Sequence, residues 1–141
     1  MQPPVYVGFW RRFIAFLLDS LVILPVLIAL TLQLHNRSGD WFSALIAGSE
    51  NFWLNYGLPA AFTLLFWLIK SATPGKMIVN AVIVDADTLD PPSSWQLVVR
   101  YLAYYLSTLV LFLGFIWIAL DRRKQGWHDK LAGTLVIERQ R

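Results

Sequence analysis

Hydrophobic residues fall into three long runs separated by polar stretches. The first run, at about 11–31, and the second, at about 52–70, are each long enough to cross a membrane. A helix rises about 1.5 Å per residue, so about 20 residues span a hydrocarbon core of roughly 30 Å. The third run lies at about 95–120, and a basic tail follows at 121–141. The pattern predicts one mainly α-helical membrane domain over residues 1–141.

A carboxylate interrupts the first run about two turns after its start. At that depth the carboxylate of Asp19 costs roughly 2.5–3.5 kcal/mol on insertion scales, so it should face protein or water. Gly8, Arg12, Ala15 and Asp19 recur at helical spacing and form one stripe. Small residues in the stripe would let another helix approach closely. We expect this stripe to be the packing and functional face of the helix.

The second run has a tryptophan near each end. The positions of Trp53 and Trp67 are typical of aromatic residues at the two membrane interfaces. Pro74 and Gly75 follow the run and predict a turn, because neither residue continues a helix well. We expect the second run to return the chain to the side from which it started.

Two short segments, at 77–85 and 133–138, are rich in β-branched residues. Their length and composition are typical of strands, and a loop containing Pro91 and Pro92 follows the first of them. We predict that the two segments pair as a small cytoplasmic β element.

The third run can be interpreted in two ways. As one straight span it would place half of the chain's lysines and arginines outside, against the positive-inside rule. Alternatively, residues 94–107 form an interfacial helix with Gln96 and Arg100 in water, and the rest is re-entrant, turning near Gly114. The second interpretation keeps the tail in the cytoplasm and is favoured. The predicted fold has three to four membrane-embedded helices.

The composition agrees with a membrane protein. Hydrophobic residues make up 57% of the 141 residues and charged residues only 15%, whereas soluble domains average about 25% charged residues. The net charge of +3 does not predict nucleic-acid binding, because the basic residues lie beside apolar runs. Arg11 and Arg12 open the first run, and the loop at 33–51 is less basic, so the N-terminus is predicted to be cytoplasmic.

Motifs for catalysis are missing from the sequence. It has no cysteine, no Gly-x-Ser-x-Gly and no His-Glu-x-x-His, and His35 and His128 are predicted on opposite sides of the membrane. We therefore predict a protein that is not an enzyme and has no cofactor and no metal site.

The chain resembles the RDD family of bacterial membrane proteins, which is named for one arginine and two aspartates. The resemblance covers nearly the whole chain and is most specific in the tail at 121–134. It rests on Arg12, Asp19, Pro74-Gly75-Lys76, Arg100 and the tail sequence DRRKQGWHDKLAGT. It identifies Arg12 and Asp19 as the first two name residues, and the third as Asp129, with Asp121 as the alternative. It implies a multi-pass protein of the bacterial plasma membrane and a role in transport, with sodium/proton exchange reported for some members.

In the transport interpretation, the protein moves a small cation or other small solute, and Asp19 alternates between binding a proton and binding a cation. Arg12 would tune the pKa of Asp19, and Asp129 or His128 would gate the cytoplasmic mouth. Because one chain is too thin to line a pathway, we expect a homo-oligomer or a membrane partner subunit.

The alternative is a scaffold or accessory subunit that transports nothing. Asp19 would then pair with Arg12, Arg100 or Lys70 and lock the helices together. The basic tail would hold anionic lipid headgroups at roughly 1 kcal/mol per basic residue, and the small sheet would dock a partner. His128 is expected to be an interfacial hydrogen-bonding residue.

Overall fold

The computed structural model describes residues 3–35, 52–110 and 112–139. In chain order these form α1 (Phe9–His35), a π-helical turn (Trp53–Gly57) that runs into α2 (Leu58–Lys70), α3 (Pro74–Ile78), β1 (Ala81–Asp85), α4 (Ser94–Leu109), α5 (Leu113–Leu120), α6 (Trp127–Ala132) and β2 (Thr134–Glu138). Residues 36–51 of the predicted polar loop lie outside the described residues. The first residues of that loop, 33–35, belong to α1.

Helix α1 confirms the first predicted membrane helix. Its apolar stretch Phe9–Gln33 has 25 residues, enough to cross a bilayer. The helix continues through Pro25, and among its described residues beyond Asp19 no large apolar side chain is buried and several are exposed, such as Leu21 at 72% and Val26 at 51%. In water such a surface would be unfavourable, so lipid or another apolar chain must cover it.

The second predicted span is helical, but its crossing of the membrane stays a prediction. Helical backbone runs from Phe52 through the π-helical turn into α2, which has 13 residues. α2 ends at Ser71, whose backbone is left-handed with φ of 51° and whose N–H bonds the carbonyl of Trp67. The turn predicted at Pro74 and Gly75 is the short helix α3. Proline at the first helical position is favoured because its missing N–H would have no partner there.

The third apolar run is not one straight helix. α4 and α5 meet at 101°, and the break between Leu109 and Leu113 lies just before the predicted turn at Gly114. Gly114 faces Ser107 across the break, and a Cβ on Gly114 would lie 2.4 Å from the Ser107 hydroxyl oxygen. The glycine therefore allows the two helices to fold closely against each other.

The predicted small sheet is confirmed. β1 and β2 pair antiparallel, with Ala81 opposite Glu138 and Asp85 opposite Thr134. β1 begins four residues later than the sequence predicted, because α3 occupies the first part of the predicted strand. A feature that the sequence did not predict is a third segment along β2. This segment is the N-terminal lead-in, residues 3–8. Val7 N donates to Val136 O at 3.0 Å, and Glu138 N donates to Val5 O at 2.8 Å.

The core lies where the lead-in, the end of α2, α4 and the sheet meet. Its buried members are Val7, Trp67, Ala81, Ile83, Leu97 and Val136. Trp67 is only 1% exposed, so its predicted place in an aromatic belt is wrong. The indole packs on protein because α3 and α4 cover the end of α2.

Candidate functional site

A fully buried carboxylate joins three helices. Asp129, on α6, accepts hydrogen bonds at Oδ1 from Arg100 Nη1 of α4 and at Oδ2 from Arg12 Nη1 of α1. Its Oδ2 also accepts from the backbone N–H of Gly126 at 2.9 Å, which satisfies a free donor at the start of α6. We call Arg12, Arg100 and Asp129 the arginine-aspartate cluster.

Each arginine of the cluster holds further parts of the chain. Arg12 donates from Nε to Val7 O at 3.0 Å and from Nη2 to Lys124 O at 2.5 Å, which links α1 to the lead-in and to the tail. Arg100 donates from Nη1 to Thr134 Oγ1 at 2.7 Å and so reaches β2. The prediction that Arg100 lies in water is wrong, since Arg100 is only 1% exposed. The cluster thus connects α1, α4 and the tail.

The charges of the cluster decide the protonation of its acid. Burial alone would raise the pKa of Asp129, but the guanidinium groups of Arg100 and Arg12 outweigh burial and hold the pKa far below its usual range. The carboxylate is therefore ionised throughout the physiological pH range.

His128 stands next to the cluster as a neutral ring. Burial lowers the pKa of His128 to about 3, against the opposing attraction of Asp129, so the imidazole carries no charge at neutral pH. The ring packs against Tyr104 and Phe115, with centroid distances of 4.4 and 5.1 Å. Its Nε2 is 3.6 Å from Asp129 Oδ2, and among the described residues its Nδ1 has no hydrogen-bond partner. The predicted interfacial hydrogen-bonding role is therefore wrong, and His128 is a core aromatic ring.

Asp19 lies apart from the cluster and has neutral partners. Its Oδ2 accepts from Thr73 Oγ1 at 2.5 Å, and its Oδ1 accepts from the backbone N–H of Gly75 at 2.7 Å. These bonds cap the first turn of α3, where donors otherwise lack partners. Within the described ranges Asp19 forms no ion pair, so the predicted pairing with Arg12, Arg100 or Lys70 is wrong.

Close packing of α1 on α3 brings Asp19 to its partners. A Cβ on Gly75 would lie 2.0 Å from the carbonyl oxygen of Ala15 and 2.9 Å from the Asp19 carboxyl carbon. Ala15 is fully buried, as the predicted packing stripe of α1 requires. Glycine at this position is what allows the backbone of α3 to reach the carboxylate.

Asp121, the alternative family aspartate, lies at the surface beyond α5. It pairs with Lys130 at 2.8 Å and accepts backbone bonds from Arg123 at 3.0 Å and Gln125 at 3.1 Å. The residues singled out from the sequence therefore separate into two groups. Arg12, Arg100, His128 and Asp129 come together, and Asp19 and Asp121 lie elsewhere.

Sequence reasoning missed Thr73 as a partner of Asp19, and it missed Trp67, whose ring centroid lies 5.4 Å from Cζ of Arg100. A signal for Thr73 was present, because threonine directly before proline is a helix N-terminal pattern. No group of three His, Cys, Asp or Glu residues within the described parts of the chain could hold a metal ion. Chemically, the cluster can hold helices together, and Asp19 can accept a proton or a cation.

Helix α1 is long and apolar, and near its N-terminal end a buried ion pair joins it to the C-terminal tail. Together these features are typical of a membrane protein whose tail packs against the start of its first helix. The chain belongs to the RDD family, whose model matches residues 6–133.

Three relatives are similar to the chain over different lengths. "Uncharacterized protein YxaI" of Bacillus subtilis is 29% identical over 161 aligned residues, covering 97% of this chain and 99% of the relative. "Uncharacterized membrane protein YteJ" of the same organism is 32% identical over 141, covering 94% of this chain and 80% of the relative. "Uncharacterized protein RP437" of Rickettsia prowazekii is 38% identical over 78 residues. That match covers 55% of this chain, and the chain spans only 43% of the length of RP437.

Proposed function

We propose that this RDD-family protein is a scaffold or accessory subunit of the bacterial plasma membrane, with the arginine-aspartate cluster as its structural lock. The observation that carries the proposal is that both carboxylate oxygens of Asp129 accept bonds from guanidinium groups of two different helices. Removing one partner of such a buried pair costs about 3–5 kcal/mol, so the contacts favour one fixed arrangement. A fixed arrangement suits a structural subunit better than a carrier that alternates between two states.

The arrangement of the lead-in and the tail supports one membrane topology. In the proposed topology the lead-in and β2 lie on the same side of the membrane. This is supported by the bond of Val7 to Val136 and by the pair of Arg11 Nη1 with Glu138 Oε2 at 3.1 Å. The proposal then requires an even number of crossings between them. In the proposed topology α1 crosses, residues 52–70 return, and α4 with α5 enters without crossing. The many basic residues of the tail favour the cytoplasm as this shared side.

Partners are proposed from surfaces that the described chain leaves uncovered. The exposed apolar face of α1, including Leu21, Val22 and Val26, would contact lipid and a second copy or another membrane subunit. Arg122 and Arg123 are exposed in the tail and would hold anionic lipid headgroups.

A second candidate function is transport of a small cation, as in sodium/proton exchange, or of another small solute. The observation that favours it is that Asp19 lies in α1 and that its carboxylate accepts from two neutral donors, a hydroxyl and a backbone N–H. Protonating Asp19 would break no ion pair within the described ranges, whereas protonating Asp129 would break two.

One experiment separates the two functions. The full-length protein, its Asp19→Asn variant and empty vesicles would be compared for proton and sodium flux under an imposed gradient. The scaffold proposal expects no flux above that of empty vesicles for either protein. Flux by the unchanged protein that Asp19→Asn abolishes, while the variant stays folded in detergent, would establish transport and reject the scaffold.

A further inference from the structure

The exposed face of α4 is apolar. The inner face of the helix, with Leu97, Arg100 and Ser107, is buried against the core and α6. The outer face carries large exposed side chains that recur at helical spacing, namely Trp95, Val98, Leu102, Tyr105, Leu106 and Leu109. Leu102 is 61% exposed, and the single charged residue of α4, Arg100, lies on the inner face. Water is a poor neighbour for such a face, so something apolar must cover it.

The start of α1 has an exposed apolar face of the same kind. Phe13, Leu17 and Leu24 are exposed along one side of the helix, and Arg12 is buried on the opposite side. Leu24 lies well inside the stretch Phe9–Gln33, which is long enough to cross a membrane. The exposed face of α1 beside the arginine-aspartate cluster is therefore continuous with the face of its membrane-crossing part.

The lengths of α1 and α2 place both arginines of the cluster near the edge of the apolar layer. About 20 helical residues, counted back from Gln33 at the end of the apolar stretch, cross the hydrocarbon and reach about residue 14. Arg12 thus lies within one turn of the edge. Cζ of Arg100 is 5.4 Å from the ring centroid of Trp67, and α2 ends three residues later at Lys70. Arg100 therefore lies beside the last turn of the second apolar helix.

Basic side chains border the exposed apolar surface. Leu120 at the end of α5 is exposed, and the exposed Arg122 and Arg123 follow it. Lys130 is exposed as well, and its Nζ lies 5.7 Å from the centroid of the Trp117 ring. A lipid leaflet has the same order, with acyl chains inside and anionic headgroups outside, so its charge complements this border.

We propose that lipid acyl chains cover the outer face of α4 and the exposed face at the start of α1, so that the arginine-aspartate cluster lies at the edge of the membrane's apolar layer. Acyl chains exclude water from the surroundings of the cluster, and a lower dielectric strengthens the attraction between its charges. The inference rests on the membrane location in the proposed function and holds for a scaffold and for a transporter alike. It reverses the sequence-based prediction for α4, in which the face with Arg100 was in water.

Spin labels on single cysteines test the proposal, since the chain has no cysteine of its own. The full-length protein, in vesicles of phosphatidylethanolamine and phosphatidylglycerol, would carry a nitroxide in the Leu102→Cys or the Phe13→Cys variant. Electron paramagnetic resonance measures how often each label collides with oxygen, which concentrates among acyl chains, and with a water-soluble nickel chelate. Thr88→Cys, in the exposed loop after β1, is the matched control for water, and Leu24→Cys is the control for lipid. We expect the labels at Leu102 and Phe13 to shift from the nickel-accessible pattern of Thr88 to the oxygen-accessible pattern of Leu24.

Two other patterns at Leu102 overturn the proposal. Collisions with nickel as frequent as those at Thr88 would place the outer face of α4 in water. Few collisions with either reagent would show that a protein partner, such as a second copy of the chain, covers that face.

The control at Leu24 separates this inference from the membrane location on which it rests. A lipid pattern at Leu24 with a water pattern at Leu102 rejects the lipid surface alone, whereas a water pattern at both rejects the membrane location as well. Leu109→Cys lies on the same face of α4 and repeats the measurement if Leu102→Cys does not fold.

Discussion

Replacing Asp129 by asparagine should destabilise the protein strongly without changing the size of the side chain. The carboxylate is fully buried and serves Arg12, Arg100 and the backbone of Gly126. The amide of the Asp129→Asn variant would present at most one acceptor oxygen, and its NH₂ group would face a guanidinium donor. Both arginines would then be left without a counter-charge.

The loss of unfolding free energy in Asp129→Asn depends on which bonds each arginine keeps. Removing one partner of a buried ion pair costs about 3–5 kcal/mol. Arg12 would keep its bonds to the carbonyls of Val7 and Lys124, whereas Arg100 would keep only Thr134 and a long contact with Tyr104. Most of the loss should therefore arise at Arg100, and we expect a total of about 3 kcal/mol, at the lower end of that range.

Asp121→Asn is the matched control for this change. Asp121 also pairs with a basic residue, Lys130, but the two side chains are 17% and 44% exposed. Ion pairs at the surface contribute about 0–1 kcal/mol. The assay is equilibrium unfolding in detergent, followed by near-UV circular dichroism. Equal losses of unfolding free energy in the two variants, within about 0.5 kcal/mol, would refute the idea that Asp129 is the lock.

Three further predictions follow from packing, protonation and topology. Gly75→Ala should cost more than about 1 kcal/mol, because its Cβ would lie 2.0 Å from a carbonyl oxygen of α1. Gly8→Ala, with nothing within 4 Å of the added Cβ, should change the unfolding midpoint little, and equal effects would contradict the packing. Stability should fall by up to about 1.4 kcal/mol per pH unit as the pH drops below about 6.5, because unfolded His128 takes up a proton that the folded ring, with a pKa of about 3, does not. Unfolding curves between about pH 7.5 and pH 5 should lose this slope in His128→Gln, and an unchanged slope would assign it to another group. Single cysteines at Val5 and Arg139 should react with an impermeant thiol reagent from the same side of the membrane, and labelling from opposite sides would reject the shared sheet.

The sequence was a good guide where local pattern decides structure. Hydrophobic length predicts α1, β-branched composition predicts the sheet, and the charge of the tail predicts a break in the third apolar run. Helical spacing also selects the buried face of α1, where Arg12 and Ala15 are covered. Each of these properties is set by residues that are close in sequence.

Partners distant in sequence could not be predicted in this way. Arg100 looked solvent-exposed because it follows Gln96 on a polar helix face, yet its partner Asp129 is 29 residues away on another helix. Trp67 fits the interfacial rule for aromatic residues, but α3 and α4 fold over it. The lead-in pairs with β2 through too few residues to produce an alternating pattern, and Pro3 and Pro4 indicate only that no helix begins before about Val5.

The environments of Asp19 and Asp129 give these two aspartates different chemical capacities. Asp129 accepts from two cations, so any change in its charge would break ion pairs that hold α1, α4 and α6 together. Asp19 accepts from a hydroxyl and a backbone N–H, and a neutral carboxyl group could keep one of these bonds while donating its own proton elsewhere. If ions move through this protein, Asp19 is therefore the residue that can respond, and Asp129 is the residue that must stay charged for the pathway to exist. Neutralising each in turn distinguishes the two roles, because loss of flux in a folded protein belongs to Asp19 and loss of the fold belongs to Asp129.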